Sequence, residues 1–319
     1  MPLPRNTRRI NSARQVSAGR LERYAAFTQN PAHGNPAGVW IGDTLPDTSA
    51  MLKIAADVGY SETAFVAPAS GLSRQVRYYS PEAEVPFCGH ATIATGVALG
   101  KAHGAATYEL ATAIGNVPVT VTNRQGVLNA SLTSVEPASE PVDRGLLQVA
   151  LDCLRWQPGE LDPEIPPALA YAGARHLVIA AATRGRLASL DYHFEGLKNF
   201  MLEHDLTTVQ LIWRESERVF HARNPFPVGG IVEDPATGAA AAALGGDLRA
   251  NRFLEVPGAI TVLQGEDLGR PARLDVSIPA TGGIVVSGRA VPIPVDDSAG
   301  TGPTRQSTTG HCPWPPSIV

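Results

Sequence analysis

Two kinds of segment in this chain gather the residue types that proton chemistry needs. The first is Ser61-Glu62-Thr63-Ala64-Phe65-Val66, where a lone carboxylate stands at the lip of an apolar run. A carboxylate there is partly desolvated, which suits it to taking up and returning a proton near neutral pH. The same local sequence also describes an ordinary solvated glutamate at a strand end, so Glu62 becomes an acid–base candidate only through its partners. The second kind is an extended approach to a helix start made of small residues, and it occurs twice. One copy is Glu84-Val85-Pro86-Phe87-Cys88-Gly89-His90-Ala91-Thr92, the other Val232-Glu233-Asp234-Pro235-Ala236-Thr237-Gly238-Ala239. A helix start exposes unpaired N–H groups and a partial positive charge, and small residues leave that backbone open to a bound carboxylate. Small residues also let a helix pack close to a sheet. Cys88 reads either as an acid–base thiol whose pKa the helix end lowers, or as a small buried side chain. His90 suits capping or hydrogen bonding, and Asp234 either caps its helix or holds an amino group or a proton.

Elements must carry these residues to one place. Arg23–Thr28, Val39–Ile41, Thr63–Val66 and Gln75–Tyr79 read as strands, with a helix capped by Asp47 or Thr48 and stopped at Gly59 between the second and third. A second helix begins near His90, and three strands broken at Gly115 and Gly126 span 106–132. The second half repeats the theme. Leu177–Ala181, Val209–Trp213 and Val219–Arg223 are strands, Phe194–Glu203 is a helix, and another helix follows Asp234 to Leu248. Strands at 260–263, 274–278 and 284–291 complete its sheet. Asn30-Pro31 and Asn224-Pro225 read as matching turns, so the halves look like diverged copies whose two helix starts face each other across a cleft. The division falls near residue 145, giving domains of 23–145 and 146–295. Residues 1–22 read as a flexible extension, and 296–319, rich in Pro, Gly, Ser and Thr, as a disordered tail.

Composition removes several classes of function. The chain has 319 residues, 44% hydrophobic and 18% charged, enough for two domains with real cores. A formal net charge of −4 speaks against a nucleic-acid binder. No apolar run is long enough to span a bilayer as a helix. Three scattered cysteines make a poor disulfide framework, which points to a reducing, cytoplasmic setting. Neither their spacing nor the histidines suggest a zinc site, so no metal is expected.

These segments, in this order, resemble the PhzF family of phenazine biosynthesis-like proteins, relatives of diaminopimelate epimerase. The resemblance is carried by Gly34-Asn35-Pro36-Ala37-Gly38-Val39, by 61–66, by Arg77-Tyr78-Tyr79-Ser80-Pro81 leading into 84–92, by Asn224-Pro225-Phe226 and 233–238, and by Gln264-Gly265-Glu266 with Gly269-Arg270-Pro271. It runs from about 23 to 293. It implies an α+β fold of two similar diaminopimelate epimerase-like domains, each a sheet wrapped around a central helix, with the active site in the cleft between them. It also implies a cofactor-free isomerase, a homodimer, and a small carboxylate-bearing substrate. Glu62 matches the family's proton-shuttling glutamate. His90 and Asp234 match substrate contacts, and Gly89 and Gly238 line the same pocket. Two positions depart from the phenazine enzymes: Ala239 replaces a serine, and Cys88 stands where they tend to carry alanine. Cys88 resembles one cysteine of the two-cysteine epimerases, but the opposite half supplies Asp234 and no second thiol. Two rival readings follow, an epimerase or racemase using Glu62 and Cys88, and a binding protein that keeps the fold without turnover.

Overall fold

The structure, a computed structural model, describes residues 19–294; the sequence's expectations for 1–18 and 295–319 lie outside the described residues. The first half contains β1 (Gly19–Ala26), β2 (Asn35–Gly42), α1 (Thr48–Val58), β3 (Glu62–Pro68), β4 (Ser73–Tyr79), β5 (Glu84–Val85), α2 (Gly89–His103), β6 (Thr107–Thr112), β7 (Gly115–Arg124) and β8 (Val127–Thr133). The second contains β9 (Ala138–Pro141), α3 (Arg144–Leu154), β10 (Ala168–Tyr171), β11 (Arg175–Ala180), α4 (Arg184–Ala188), α5 (Phe194–Glu203), β12 (Thr208–Ser216), β13 (Val219–Phe226), β14 (Ile231–Asp234) and α6 (Gly238–Ala250). It ends with β15 (Gly258–Gln264), β16 (Ala272–Ile278), β17 (Val285–Gly288) and β18 (Ala290–Pro292).

Each half holds one helix buried on nearly all sides. Along α2 every residue from His90 to Gly100 is buried, and along α6 nearly all from Gly238 to Leu248 are. Their sequences lack an amphipathic stripe and are small or apolar all round, the pattern of a helix enclosed by its sheet. Close approach is what the glycines supply. A Cβ at Gly96 would lie 2.7 Å from Val119 Cγ1, and one at Gly246 would lie 2.4 Å from Pro137 Cβ. Around α2 the strands run β1–β2–β3–β4–β6–β7–β8, and around α6 they run β9–β10–β11–β12–β13–β15–β16–β17.

The repeat is visible in the crossovers. β2 pairs parallel with β3 across α1, and β4 with β6 across α2. Likewise β11 pairs parallel with β12 across α4 and α5, and β13 with β15 across α6. Asp47 caps α1 by accepting from the Ala50 amide at 2.9 Å, and Gly59 ends it in the left-handed conformation at φ 70°, as the sequence predicts.

Several details differ from the sequence reading. Residues 19–22, expected in the N-terminal extension, are the start of β1 and pair with Val39–Gly42. β1 ends at Ala26 because Phe27 turns to φ 62°. Asn224-Pro225 is not a turn: both lie inside β13, opposite Asp234 and Glu233 of β14. The segment 284–291 does more than complete the second sheet. β17 pairs with β16 and also with β8, and β18 pairs with β1, so this stretch closes the first sheet around α2. β9, α3, β10 and α4 are further elements; α3 packs against α5 outside the second sheet, over the apolar side chains Leu177, Ile179, Val209 and Leu211.

Candidate active site

The topology brings the starts of α2 and α6 together between the halves. A methyl group on Gly89 would sit 3.8 Å from the Ala239 amide nitrogen and 3.8 Å from Gly238 Cα. The two helix starts therefore face each other, as the repeated small-residue segments suggest, and offer unpaired backbone N–H groups from both sides. Thr237 places no side chain on the first amides of α6, while at α2 the Cys88 sulfur faces the Ala91 amide.

Glu62 is the first residue of β3, and the parallel pairing of β2 with β3 sets it opposite Ala37. Its carboxylate lies 3.4 Å from His90 Nε2, with the glutamate side chain 15% exposed and the histidine 7%. His90 is the second residue of α2, so its ring reaches from the helix start to the strand start. Ser61 Oγ stands 3.4 Å from the same Nε2. Cys88 Sγ lies 3.4 Å from His90 Nδ1. Burial, reinforced by the negative charge of Glu62, pushes the Cys88 thiol well above its usual value. The helix-start effect expected from sequence is thus overridden, and Cys88 is a protonated thiol.

Asp234 comes from the other half. It ends β14 and lies three residues before Thr237, so it is not the N-cap that the sequence allowed for. Its Oδ2 accepts a 2.5 Å hydrogen bond from Thr237 Oγ1, and its Oδ1 accepts one from Asn35 Nδ2 at 2.8 Å. Gln264 braces this turn by donating to the Asp234 carbonyl at 2.7 Å and accepting from the Thr237 amide at 3.1 Å. Burial raises the Asp234 carboxyl to about 6, partly offset by His90 and by its hydrogen-bond donors. That value keeps both protonation states populated near neutral pH.

Glu62, Cys88, His90, Gly89, Gly238, Ala239 and Asp234 thus meet in one region. Sequence reasoning gave no role to Asn35, Ser61, Thr237 or Gln264. Asn35 and Gln264 did stand inside conspicuous motifs, but nothing in their local sequence says that they touch Asp234. Sequence spacing also hid one property: ligand-type atoms of Glu62, Cys88 and His90 all lie within 4.8 Å of one another. A separate surface cavity of about 290 Å³, lined in part by Thr28, Gln29, His33, Glu266 and Arg273, includes none of these acid–base residues.

The fold, a sheet around an enclosed helix in each half, is diaminopimelate epimerase-like, and relatives named as isomerases make the chain an isomerase of that fold class. The family model for phenazine biosynthesis-like proteins matches residues 24–294, and the chain belongs to that family, PhzF. A trans-2,3-dihydro-3-hydroxyanthranilate isomerase of Pseudomonas fluorescens is 30% identical over 251 residues, covering 77% of this chain and 86% of that protein. An uncharacterized isomerase of Deinococcus radiodurans is 30% identical over 281 residues, covering 85% and 91%. Among solved structures, a PhzF-family protein of Bacillus anthracis superposes with a TM-score of 0.76 at 23% identity, covering 86% of this chain and 96% of that one. A probable proline racemase of Agrobacterium radiobacter shares the fold at a TM-score of 0.60 and 15% identity, covering 86% and 91%.

Proposed function

We propose that the cleft moves a proton between two carbons of a small amino- or hydroxy-carboxylic acid, with Glu62 as the acid–base residue. The observation that carries this reading is that His90 and Asn35 link Glu62 of one half to Asp234 of the other, beside two facing helix starts. The substrate carboxylate docks on the N–H groups at Gly89 and Gly238. Glu62 takes a proton from carbon, the electron pair enters the conjugated system, and the double bond shifts. The same carboxyl then returns the proton at the far end of that system. Asp234, poised near 6, holds the amino or hydroxyl group, and His90 orients Glu62. One carboxyl both takes and returns the proton, so the chemistry asks for no cofactor. A homodimer is the working unit by family likeness, which sedimentation equilibrium checks.

Distance argues against the rival epimerase that pairs Glu62 with Cys88. Two bases acting on opposite faces of one carbon must each approach it to about 3–3.5 Å, so they stand roughly 6–7 Å apart. These two side chains place their reactive atoms within 4.8 Å.

The test uses the compound that the Pseudomonas relatives isomerise. A trial substrate deuterated at the reacting carbon, run for a single turnover in ordinary water, should carry some deuterium to the new position, because one enclosed carboxyl returns what it took. Glu62→Gln should lower turnover by on the order of 10²–10⁴ while folding normally. Near-normal turnover by Glu62→Gln would sink the assignment. Full loss of deuterium together with an inactive Cys88→Ala would promote the epimerase.

A further inference from the structure

Glu62, Cys88 and His90 have the donor set of a zinc site, and their spacing would permit one. What decides between a cation and a proton is which imidazole nitrogen carries the hydrogen. Asn35, the first residue of β2 and 1% exposed, answers that question. Its amide nitrogen lies 2.8 Å from Asp234 Oδ1, 3.1 Å from the Ala236 carbonyl and 3.0 Å from His90 Nδ1. A peptide carbonyl only accepts, and an ionised carboxylate does the same. Turning the amide over would set oxygen against oxygen at both, so the hydrogen-bond network assigns the nitrogen to this side. The amide nitrogen shares its two hydrogens among these three neighbours and cannot itself accept, so a hydrogen on Nδ1 would have no partner on this side.

A second group able to donate lies beside the same atom. The Cys88 sulfur is 3.4 Å from Nδ1, and its protonated thiol has one hydrogen to give, to Nδ1 or to the neighbouring Glu62. On the far side of the ring Nε2 is 3.4 Å from the Glu62 carboxylate, which only accepts, and 3.4 Å from Ser61 Oγ, whose hydroxyl can do either; the Cys88 sulfur is farther from Nε2, at 3.8 Å, than from Nδ1. In a neutral imidazole one nitrogen donates and the other accepts.

We propose that Asn35 is a positioning residue that locks His90 in the tautomer protonated at Nε2, aiming that N–H at Glu62 and closing the cluster to metal ions. A metal on Nε2 needs its lone pair, and the hydrogen must then sit on Nδ1 and point at an acceptor. Here Nδ1 meets groups that donate, and the Asn35 amide nitrogen at 3.0 Å also covers the lone pair that a metal on Nδ1 would need. The same amide ties the first half to Asp234 and Ala236 of the second, so the His90 tautomer and the Asp234 carboxylate are set by one side chain. The part this plays in turnover rests on the proton-transfer reading above; the tautomer itself does not.

The experiment needs no substrate. Protein labelled with ¹⁵N-histidine is examined near neutral pH by long-range ¹H–¹⁵N correlation, with the His90 signals among the eight histidines identified by their loss in His90→Gln. The expected result is a protonated Nε2 and a bare Nδ1 in the native protein. Asn35→Leu, which keeps bulk but removes the donor, should show a mixture of tautomers or the reverse one. A native ring protonated at Nδ1, or a folded Asn35→Leu protein with an unchanged Nε2–H pattern, would overturn the proposal. If Asn35→Leu fails to fold, titration of the native protein with Co²⁺ decides. No thiolate-to-cobalt absorption band is expected, and a band that Cys88→Ser abolishes would overturn the assignment. A protein that proves not to be an isomerase could still pass every one of these tests.

Discussion

Asp234 shows how one residue can serve the site at the expense of the fold. Burial lifts its carboxyl from 3.8 to about 6. A group whose folded value is raised contributes its full stability below the unfolded value and loses it as pH rises through the folded one. Asp234 therefore stabilises the native state most near pH 4 and least above about pH 6, a swing of roughly 3 kcal/mol. Asp234→Asn removes this titration. The difference in unfolding free energy between the native protein and the variant should shift in the variant's favour as pH rises through this window. Chemical denaturation at several pH values measures it, and a pH-independent difference would show that Asp234 is not the raised group. Glu62, His90 and Asn35 are single residues whose meaning changes with their neighbours. Glu62 looks like any strand-end glutamate until His90 and Cys88 are placed beside it.

At the scale of elements, β14 is what presents Asp234, and a buried ion pair anchors it. Arg223 of β13 donates from Nε to Glu233 Oε1 at 3.0 Å and from Nη2 to Oε2 at 2.5 Å, and its Nη1 donates to the Ala188 carbonyl at 2.6 Å. Both side chains are nearly buried, so removing one leaves the other charged and unpaired. Arg223→Met should cost about 3–5 kcal/mol. Replacing both, as Arg223→Met with Glu233→Leu, should recover most of that loss, because apolar groups of similar volume leave no buried charge. Thermal unfolding of the three proteins tests the point, and a double variant no better than the single one would refute it. The helices tell a related story from sequence. The family resemblance carried the expectation of a central helix in each half, and Phe194–Glu203 was read with its observed bounds. The short strands β9 and β10 went unread because four residues do not establish an alternation.

Taken as a whole molecule, the two halves are joined by more than a connecting chain. The stretch 285–292 pairs with β16 of the second half and with β8 and β1 of the first. Asn35 and Arg270 add side-chain links: Arg270 Nε donates to the Gly34 carbonyl at 2.8 Å, just before the strand that carries Asn35. Such mutual pairing couples their unfolding. Residues 19–294 should therefore melt in one calorimetric transition. Two resolved transitions would mean that each sheet holds together alone, and would also favour the division near residue 145 as a true boundary between independent units.

Sequence alone determined the alternation of strands and helices, the doubled plan and the candidate residues Glu62, Cys88, His90 and Asp234. These are local properties: periodicity, capping residues, and motifs that keep their spacing along the chain. Only the tertiary structure decided what surrounds each candidate. It turned Asp234 from a possible cap into a buried carboxyl, kept the Cys88 thiol protonated, and set Asn35 between His90 and Asp234. It also moved the last strands across to the first sheet. Desolvation and hydrogen-bond direction depend on atoms that arrive from far along the chain, so no window of sequence contains them.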